Sequence, residues 1–377
     1  MKKKMIVLFL VSTLLFELVT PQLNAQTTYE PYWLLLEKGK QYYRFKEYGK
    51  ALIAFEDAKR IKDELYLKMQ RDFIEFLSAN EVRALGDSLN KILLYLNDKP
   101  NKRISEIIEE INFNFSETLI QDSAKNLISL FDILRLYPEA EYWIGEVYRE
   151  EGEINIALQQ YNRALSQQLL INPNELTTQI RYKIADMFYI LGNYPQYEKT
   201  LIEIVSEDSL WNGDDRSQSF IRSSMFKTLT EDGVNRFLTL YRYDSIKFER
   251  AHRLLGLYYY ATGRYDKSVE HLTYAFLIQN TILIKEYQLK EYTYVFKDFT
   301  QLITSSARLE DLENYMYEVD FFKTNYYLAA AMYATGQRSI AFYLWNIIAK
   351  TNKAAEWQKR SKLQIEKPYI EPVNERP

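Results

Sequence analysis

The chain has 377 residues, with 48 lysines and arginines against 51 aspartates and glutamates and not one cysteine, so disulfides, thiolate metal centres and cysteine-linked lipid anchors are all excluded. Its net charge of −3 gives nucleic acid no electrostatic reason to bind. Two histidines in the whole chain leave transition-metal and acid–base chemistry few side chains to use.

In chain order, three lysines (Lys2 to Lys4) precede an apolar stretch from Met5 to Phe16 and a small residue at Ala25, the order of a secretory signal. The stretch falls short of the about 20 apolar residues a membrane helix needs, and Glu17 interrupts it. Residues 1–25 are therefore expected to be removed, leaving 352 residues with a net charge of −5, exported to a bacterial periplasm with no integral membrane span. Apolar residues at helical spacing then run through Trp33 to Ala58, Glu64 to Leu77 and Glu81 to Leu96, with a stop at Asn97–Pro100. Ile104 to Ile111 and Leu119 to Leu136 follow, ended by Tyr137-Pro138. Helical spacing resumes in Glu141 to Ala164 and Tyr182 to Ile204. Past the loop Trp211–Asp215, shorter helices are expected at Ser217–Leu229 and Val234–Tyr241. After His252 to Ala275, the stretch Thr281–Ile303 has neither glycine nor proline and reads as one long helix, before Leu309–Phe322 and Tyr326–Ile348. The tail from Lys367 carries three prolines and little to bury, which predicts a flexible end over 367–377. No segment alternates with period two, so no sheet is expected.

Glycine supplies the larger pattern. Align Gly39, Gly145 and Gly256: an aromatic follows at Tyr42, Tyr148 and Tyr259, and a small residue at Ala51, Ala157 and Ser268. A large apolar residue comes next at Phe55, Tyr161 and Leu272, and an alanine at Ala58, Ala164 and Ala275. Two further copies, from Tyr182 and from Tyr326, put alanine where that first glycine belongs. The break between paired helices falls at Lys46, Gly152, Gly192, Gly263 and Gly336, with spacings of 106, 40, 71 and 73 residues. Read as eight steps over 290 residues, these give near 36 per step. A glycine inside a helix costs roughly 1 kcal/mol against alanine, so glycines in register imply close helix contact.

This order resembles the tetratricopeptide repeat, whose period is about 34 residues. The resemblance implies an all-α, TPR-like α-solenoid of antiparallel helical hairpins over residues 26–366, about nine units, four of them degenerate. It also implies a groove, lined by the residue three before the first glycine position (Tyr142, Tyr182, Tyr326) and the one four after it (Tyr43, Tyr189, Tyr260, Tyr333). Tyrosine suits such a protein-binding surface, with a wide apolar face and a hydroxyl, but it suits packing between hairpins equally. The subtype that clamps free C-terminal carboxylates wants asparagine where this chain has Lys40, Glu146, Asp186, Leu257 and Ala330.

Catalytic signatures are missing: no HExxH, no glycine-rich phosphate loop and no GxSxG occurs. His252 and His271 sit in the two helices of one repeat and are expected to approach across the hairpin, with Glu249 the nearest further ligand candidate. That falls short of the four ligands a closed metal site usually takes, so neither metal nor cofactor is expected. The expected function is a non-enzymatic scaffold holding a protein partner in the cell envelope. The opening stretch and the segment from Pro138 to Tyr161 are similar to exported spirochaete repeat proteins, some of which build the collar of periplasmic flagella. A flagellar or other envelope complex is the partner that resemblance implies. The alternative is a TPR protein that binds a small molecule for a transporter.

Overall fold

The computed structural model describes residues 30–79, 124–170, 174–212 and 216–372. The expected signal at 1–25, the helices expected at 81–96 and 104–111, and residues 213–215 of the loop lie outside them. Every regular element among the described residues is a helix, and none of these is long and apolar enough to cross a membrane.

The chain divides into two units, residues 1–172 and 173–377. In the first, α1 (Tyr32–Arg44) pairs with α2 (Tyr48–Ala79), α3 (Ala124–Leu134) lies on the far half of α2, and α4 (Pro138–Glu150) pairs with α5 (Ile154–Ser166). Proline at the first position of α4, with Glu139 and Glu141 in its first turn, starts that helix where the missing N–H costs nothing and acids meet the positive end of the helix dipole. Leu36, Ala51, Phe55, Ala58, Ala140, Ile144 and Val147 form the core between the two pairs.

The second unit contains pairs α6 (Asn174–Ile190) with α7 (Tyr194–Val205), α10 (Ile246–Ala261) with α11 (Tyr265–Lys290), and α14 (Phe321–Ala334) with α15 (Arg338–Lys350). Shorter helices α8 (Arg216–Lys227) and α9 (Gly233–Leu240) precede α10; α12 (Phe299–Ser306) and α13 (Glu310–Glu318) precede α14; α16 (Glu356–Glu366) packs on α15. The second helix of each pair meets the first helix of the next, α7 on α10 and α11 on α14.

All five breaks read from the sequence have one geometry. Lys46, Gly152, Gly192, Gly263 and Gly336 each take a positive φ, between 60° and 88°. In each, the following amide reaches back to close the first helix: Glu47 to Tyr42, Glu153 to Tyr148, Asn193 to Phe188, Arg264 to Tyr259 and Gln337 to Met332, at 2.7–2.9 Å. This is the Schellman ending, which satisfies carbonyls that the helix end would otherwise orphan.

The in-register glycines have the contact that their cost implies. A Cβ added to Gly145 would lie 2.7 Å from the ring of Tyr161, and one on Gly256 would lie 2.5 Å from Leu272 Cγ and 3.1 Å from its backbone nitrogen. At Gly39 the ring of Phe55 stands closer still. Each partner is the large apolar residue sixteen positions on, so the small residue and the large one are two halves of one contact.

Three expectations are corrected. Glu64–Leu77 opens no hairpin of its own; it continues α2, burying Tyr66 and Phe73, with Phe73 against Phe131 (ring centroids 5.7 Å) and Asp63 taking a 2.8 Å bond from Arg135. The long helix exists but is displaced: α11 begins at Tyr265, stops at Lys290, and α12 restarts at Phe299. Asp298 explains the restart, because its side chain accepts from Gln301 N at 2.8 Å as an N-cap, a role that takes its backbone out of helical geometry. Asn235 holds the junction, accepting from Phe299 N (2.9 Å) and donating to Asp298 (3.0 Å). Finally, two residues of the tail, Tyr369 and Glu371, are hydrogen-bonded to the body of the unit.

Candidate functional site

The seven tyrosines expected to line one groove fall in different settings. Tyr182, buried, donates to Lys247 O (2.8 Å) and accepts from Ala251 N (3.0 Å), which fastens α6 to the start of α10. Tyr142 is buried against Trp143 and Tyr161. Tyr260 and Tyr326 are 2% and 0% exposed, so no partner reaches their rings without displacing something. All four rings are enclosed between helices rather than open to a groove. The cause is the close helix approach, which encloses whatever stands beside it. Tyr43, Tyr189 and Tyr333 are half-buried. Tyr43 meets Trp143 edge-on at 5.4 Å, and its pKa is pushed up to about 12 by burial and by Glu146 and Glu150. Tyr189 packs on Tyr194 and Tyr197, and Tyr333 on Phe342 and Trp345.

Tyr260 and Tyr326 do share a site, through Tyr327. Its ring centroid is 5.2 Å from that of Tyr260 and 5.4 Å from that of Tyr326. α16 lays Trp357, Arg360 and Gln364, at i, i+3 and i+7, across this cluster. The guanidinium of Arg360 lies 4.5 Å from the Trp357 ring centre and 4.9 Å from that of Tyr326, and it donates to Tyr327 Oη at 3.0 Å. Stacked this way, it is held by contacts that do not involve a carboxylate.

The tail supplies the carboxylate. Beyond Glu366 the chain is no longer helical; Tyr369 N donates to Gln364 Oε1 at 3.0 Å. Glu371 then accepts from Arg360 Nη2 at 3.1 Å and from the hydroxyl of Tyr326. Gln364 Nε2 donates to the same phenolic oxygen at 3.3 Å. Burial, and after it the Glu371 carboxylate, push the Tyr326 pKa far up, so the phenol stays a proton donor across the neutral range. Sequence reasoning missed Tyr327, Trp357, Arg360, Gln364 and Glu371. The one-sided spacing within WQKRSKLQ is the signal that was there to find three of them.

A second polar cluster is enclosed. His252 and His271 approach as expected, Nδ1 to Nδ1 at 3.1 Å, at 0% and 4% exposure. Asp208, fully buried, stands 3.5 Å from His252 Nε2 and accepts from Leu210 N (2.9 Å) and from the hydroxyl of Tyr243. Trp211 covers His271 at 4.4 Å and Tyr274 stacks on His252 at 4.9 Å. Burial depresses both imidazole pKa values, and Asp208 stays below the usual carboxylate range because the neighbouring His252 and the Tyr243 hydroxyl outweigh its burial. Glu249 is no third ligand: it accepts from Arg253 Nε (3.1 Å) and Gln279 Nε2 (2.6 Å), locking α10 to α11. Among the described residues no group of three or more histidines and carboxylates could hold a metal ion. Nearer the surface, a cavity of about 480 Å³ opens at the α10/α11 and α14/α15 turns, edged by Arg264, Asp266, Lys267 and Thr335.

Comparison with known proteins gives kinship without a function. No family model matches the chain. A protein of Treponema pallidum (strain Nichols), described only as uncharacterized, is 22% identical over 333 residues, covering 88% of this chain and 89% of its own length. A second uncharacterized protein, of Borreliella burgdorferi, is 21% identical over 229 residues, covering 55% of this chain and 69% of itself.

Proposed function

We propose that the protein is an exported, non-enzymatic scaffold in which tetratricopeptide-like hairpins stack within each unit and hold a protein partner in the cell envelope. The observation that carries the reading is the tail: a non-helical segment of polypeptide is held by aromatic, guanidinium and amide side chains contributed by α14 and α16. Repeated hairpins with Schellman turns and small-to-large contacts support the repeat assignment. The envelope setting rests on the signal read at residues 1–25 and on the resemblance to exported repeat proteins, since the spirochaete relative is itself uncharacterized. The small-molecule alternative has less support, since the 480 Å³ cavity is edged by charged residues and does not enclose an apolar ligand.

Photocrosslinking in cells tests the scaffold. A photoreactive residue at Tyr369, 47% exposed beside the seat, is expected to capture one defined protein, while one at Tyr292, 98% exposed and elsewhere, is not. Labelling confined to the chain itself at both positions would overturn the reading, as would retention of the protein in the cytoplasm after osmotic shock.

A further inference from the structure

We propose that the seat formed by Tyr326, Arg360 and Gln364 accepts a glutamate-bearing, extended segment of a partner protein, and that the chain's own tail is a tethered stand-in for it. The proposal rests on the scaffold reading for the existence of a partner, but not for the chemistry of the seat.

Three observations carry it. The framework of the seat comes from outside the tail: Tyr326 and Gln364 stand on α14 and α16, and Arg360 is held by the Trp357 and Tyr326 rings and the Tyr327 hydroxyl, none of which belongs to the tail. It is complementary to one carboxylate, with Arg360 donating to one oxygen of Glu371 and Tyr326 to the other. Such a charge-assisted pair discriminates strongly against a neutral side chain.

Beyond this carboxylate, the tail is held by the bond from Tyr369 N to Gln364. Tyr369 and Ile370 are each 47% exposed, and Pro372 is exposed. Pro368 and Pro372 bias Lys367 and Glu371 toward extended backbone, so an incoming segment with the same pattern has little conformational freedom to lose. A segment held through one carboxylate and one backbone amide stays seated chiefly because its tether keeps the local concentration high, on the order of millimolar for a short link. An untethered segment that makes the same contacts must compete with it, and its apparent affinity is reduced by the fraction of seats already filled. The tail thereby sets a threshold. Only a partner with more contacts than this hexapeptide, or one presented at high local concentration, displaces it.

The test uses the full-length chain and a fluorescent peptide of sequence KPYIEPV, residues 367–373. Fluorescence anisotropy should show about tenfold or tighter binding to the Glu371→Ala chain, whose own tail is released, than to the unaltered chain. A peptide carrying Gln in place of the glutamate should lose about tenfold on the Glu371→Ala chain. Adding Tyr326→Phe, which keeps the buried ring and removes only the hydroxyl, should weaken the cognate peptide several-fold, with circular dichroism unchanged. Equal binding to both chains, or indifference to the glutamine exchange, would overturn the proposal. So would a dimer of the unaltered chain that dissociates on Glu371→Ala, because the occupant would then be a second copy. If the peptide behaves as expected and cellular crosslinking captures nothing, the scaffold reading fails and the seat stands; crosslinks with a peptide that ignores the seat mean the reverse.

Discussion

Hairpins α10/α11 and α14/α15 pack on one another in the second unit and resolve the same crossing in opposite ways. In α10/α11 a glycine, Gly256, lets Leu272 approach the helix backbone itself. In α14/α15 the equivalent position is Ala329, and its partner sixteen residues on is Trp345, both fully buried. A glycine pair has no room for a methyl group, whereas an alanine pair has already absorbed one. What the repeat conserves within this chain is the filling of one volume by two side chains, and the glycine is only one way to do it.

The largest effect is expected from overfilling the tighter crossing. Gly256→Leu should destabilise the protein by about 3 kcal/mol, because the added atoms meet Leu272 at both side chain and backbone. Gly256→Ala should cost about 1–2 kcal/mol, its steric penalty offset in part by the roughly 1 kcal/mol that alanine gains over glycine in a helix. Urea unfolding midpoints measure both. An alanine variant more stable than the parent would mean that α10 and α11 are further apart than described.

Acid should single out the same hairpin. Both imidazoles are held neutral: burial lowers the pKa of each below the usual 6.5, against the pull of Asp208 at His252 and reinforced by His252 and Lys267 at His271. The unfolded chain therefore binds protons near pH 6.5 that the folded chain refuses. The stability this contributes is complete above about pH 6.5 and is lost as the pH falls through the window beneath it, by at most about 1.4 kcal/mol per pH unit for each histidine. Melting temperatures at pH 7.5 and 5.5 should differ less in His271→Asn than in the parent. An unaltered slope would show that the pair is not shielded from water.

In α14/α15 the expected change is smaller and independent of pH. Ala329→Gly should cost about 1–2 kcal/mol, the helix penalty of glycine plus the loss of a buried methyl. Its slope with pH should match that of the parent, since this hairpin contains no histidine. A cost as large as that of Gly256→Leu would erase the distinction between the two crossings.

What the sequence could show of this depended on how far apart the partners lie. The hairpin breaks were legible because a left-handed residue closing a helix is a local event, and the glycine register because sixteen residues is a fixed distance across one turn. The two histidines were legible for the same reason. Asp208, which completes their cluster, lies 44 positions before His252 in a segment with no repeat of its own, so periodicity could not place it. Glu371 lies 45 positions after Tyr326, in a stretch whose prolines and polarity read as a free end. Tyr260 and Tyr326, read as groove-lining, stand enclosed, because a phenol satisfies a packed interior and a binding groove by the same means. The restart at α12 was hidden too, since an aspartate cap weighs less in a pattern than a missing glycine.

The smallest expected effect bears on what the glycine-keyed and alanine-keyed hairpins have in common, their turn. Four of the five breaks carry glycine, and Lys46 takes the same conformation at φ 60° with a side chain that is exposed. An L-residue with a Cβ pays roughly 1–2 kcal/mol in this region. Glycine removes that strain but adds freedom to the unfolded chain, which returns roughly 0.5–1 kcal/mol. Lys46→Gly should therefore stabilise by about 0.5–1 kcal/mol, and Gly263→Ala should destabilise by about 1 kcal/mol, although nothing stands within 4 Å of the added methyl. The two exchanges isolate backbone strain from packing, because Lys46 is exposed and nothing stands near a Cβ added at Gly263. Should Lys46→Gly lower the unfolding midpoint instead, the bond from Glu47 N to Tyr42 O would not be what closes α1, and the shared turn would have to be abandoned for the first hairpin.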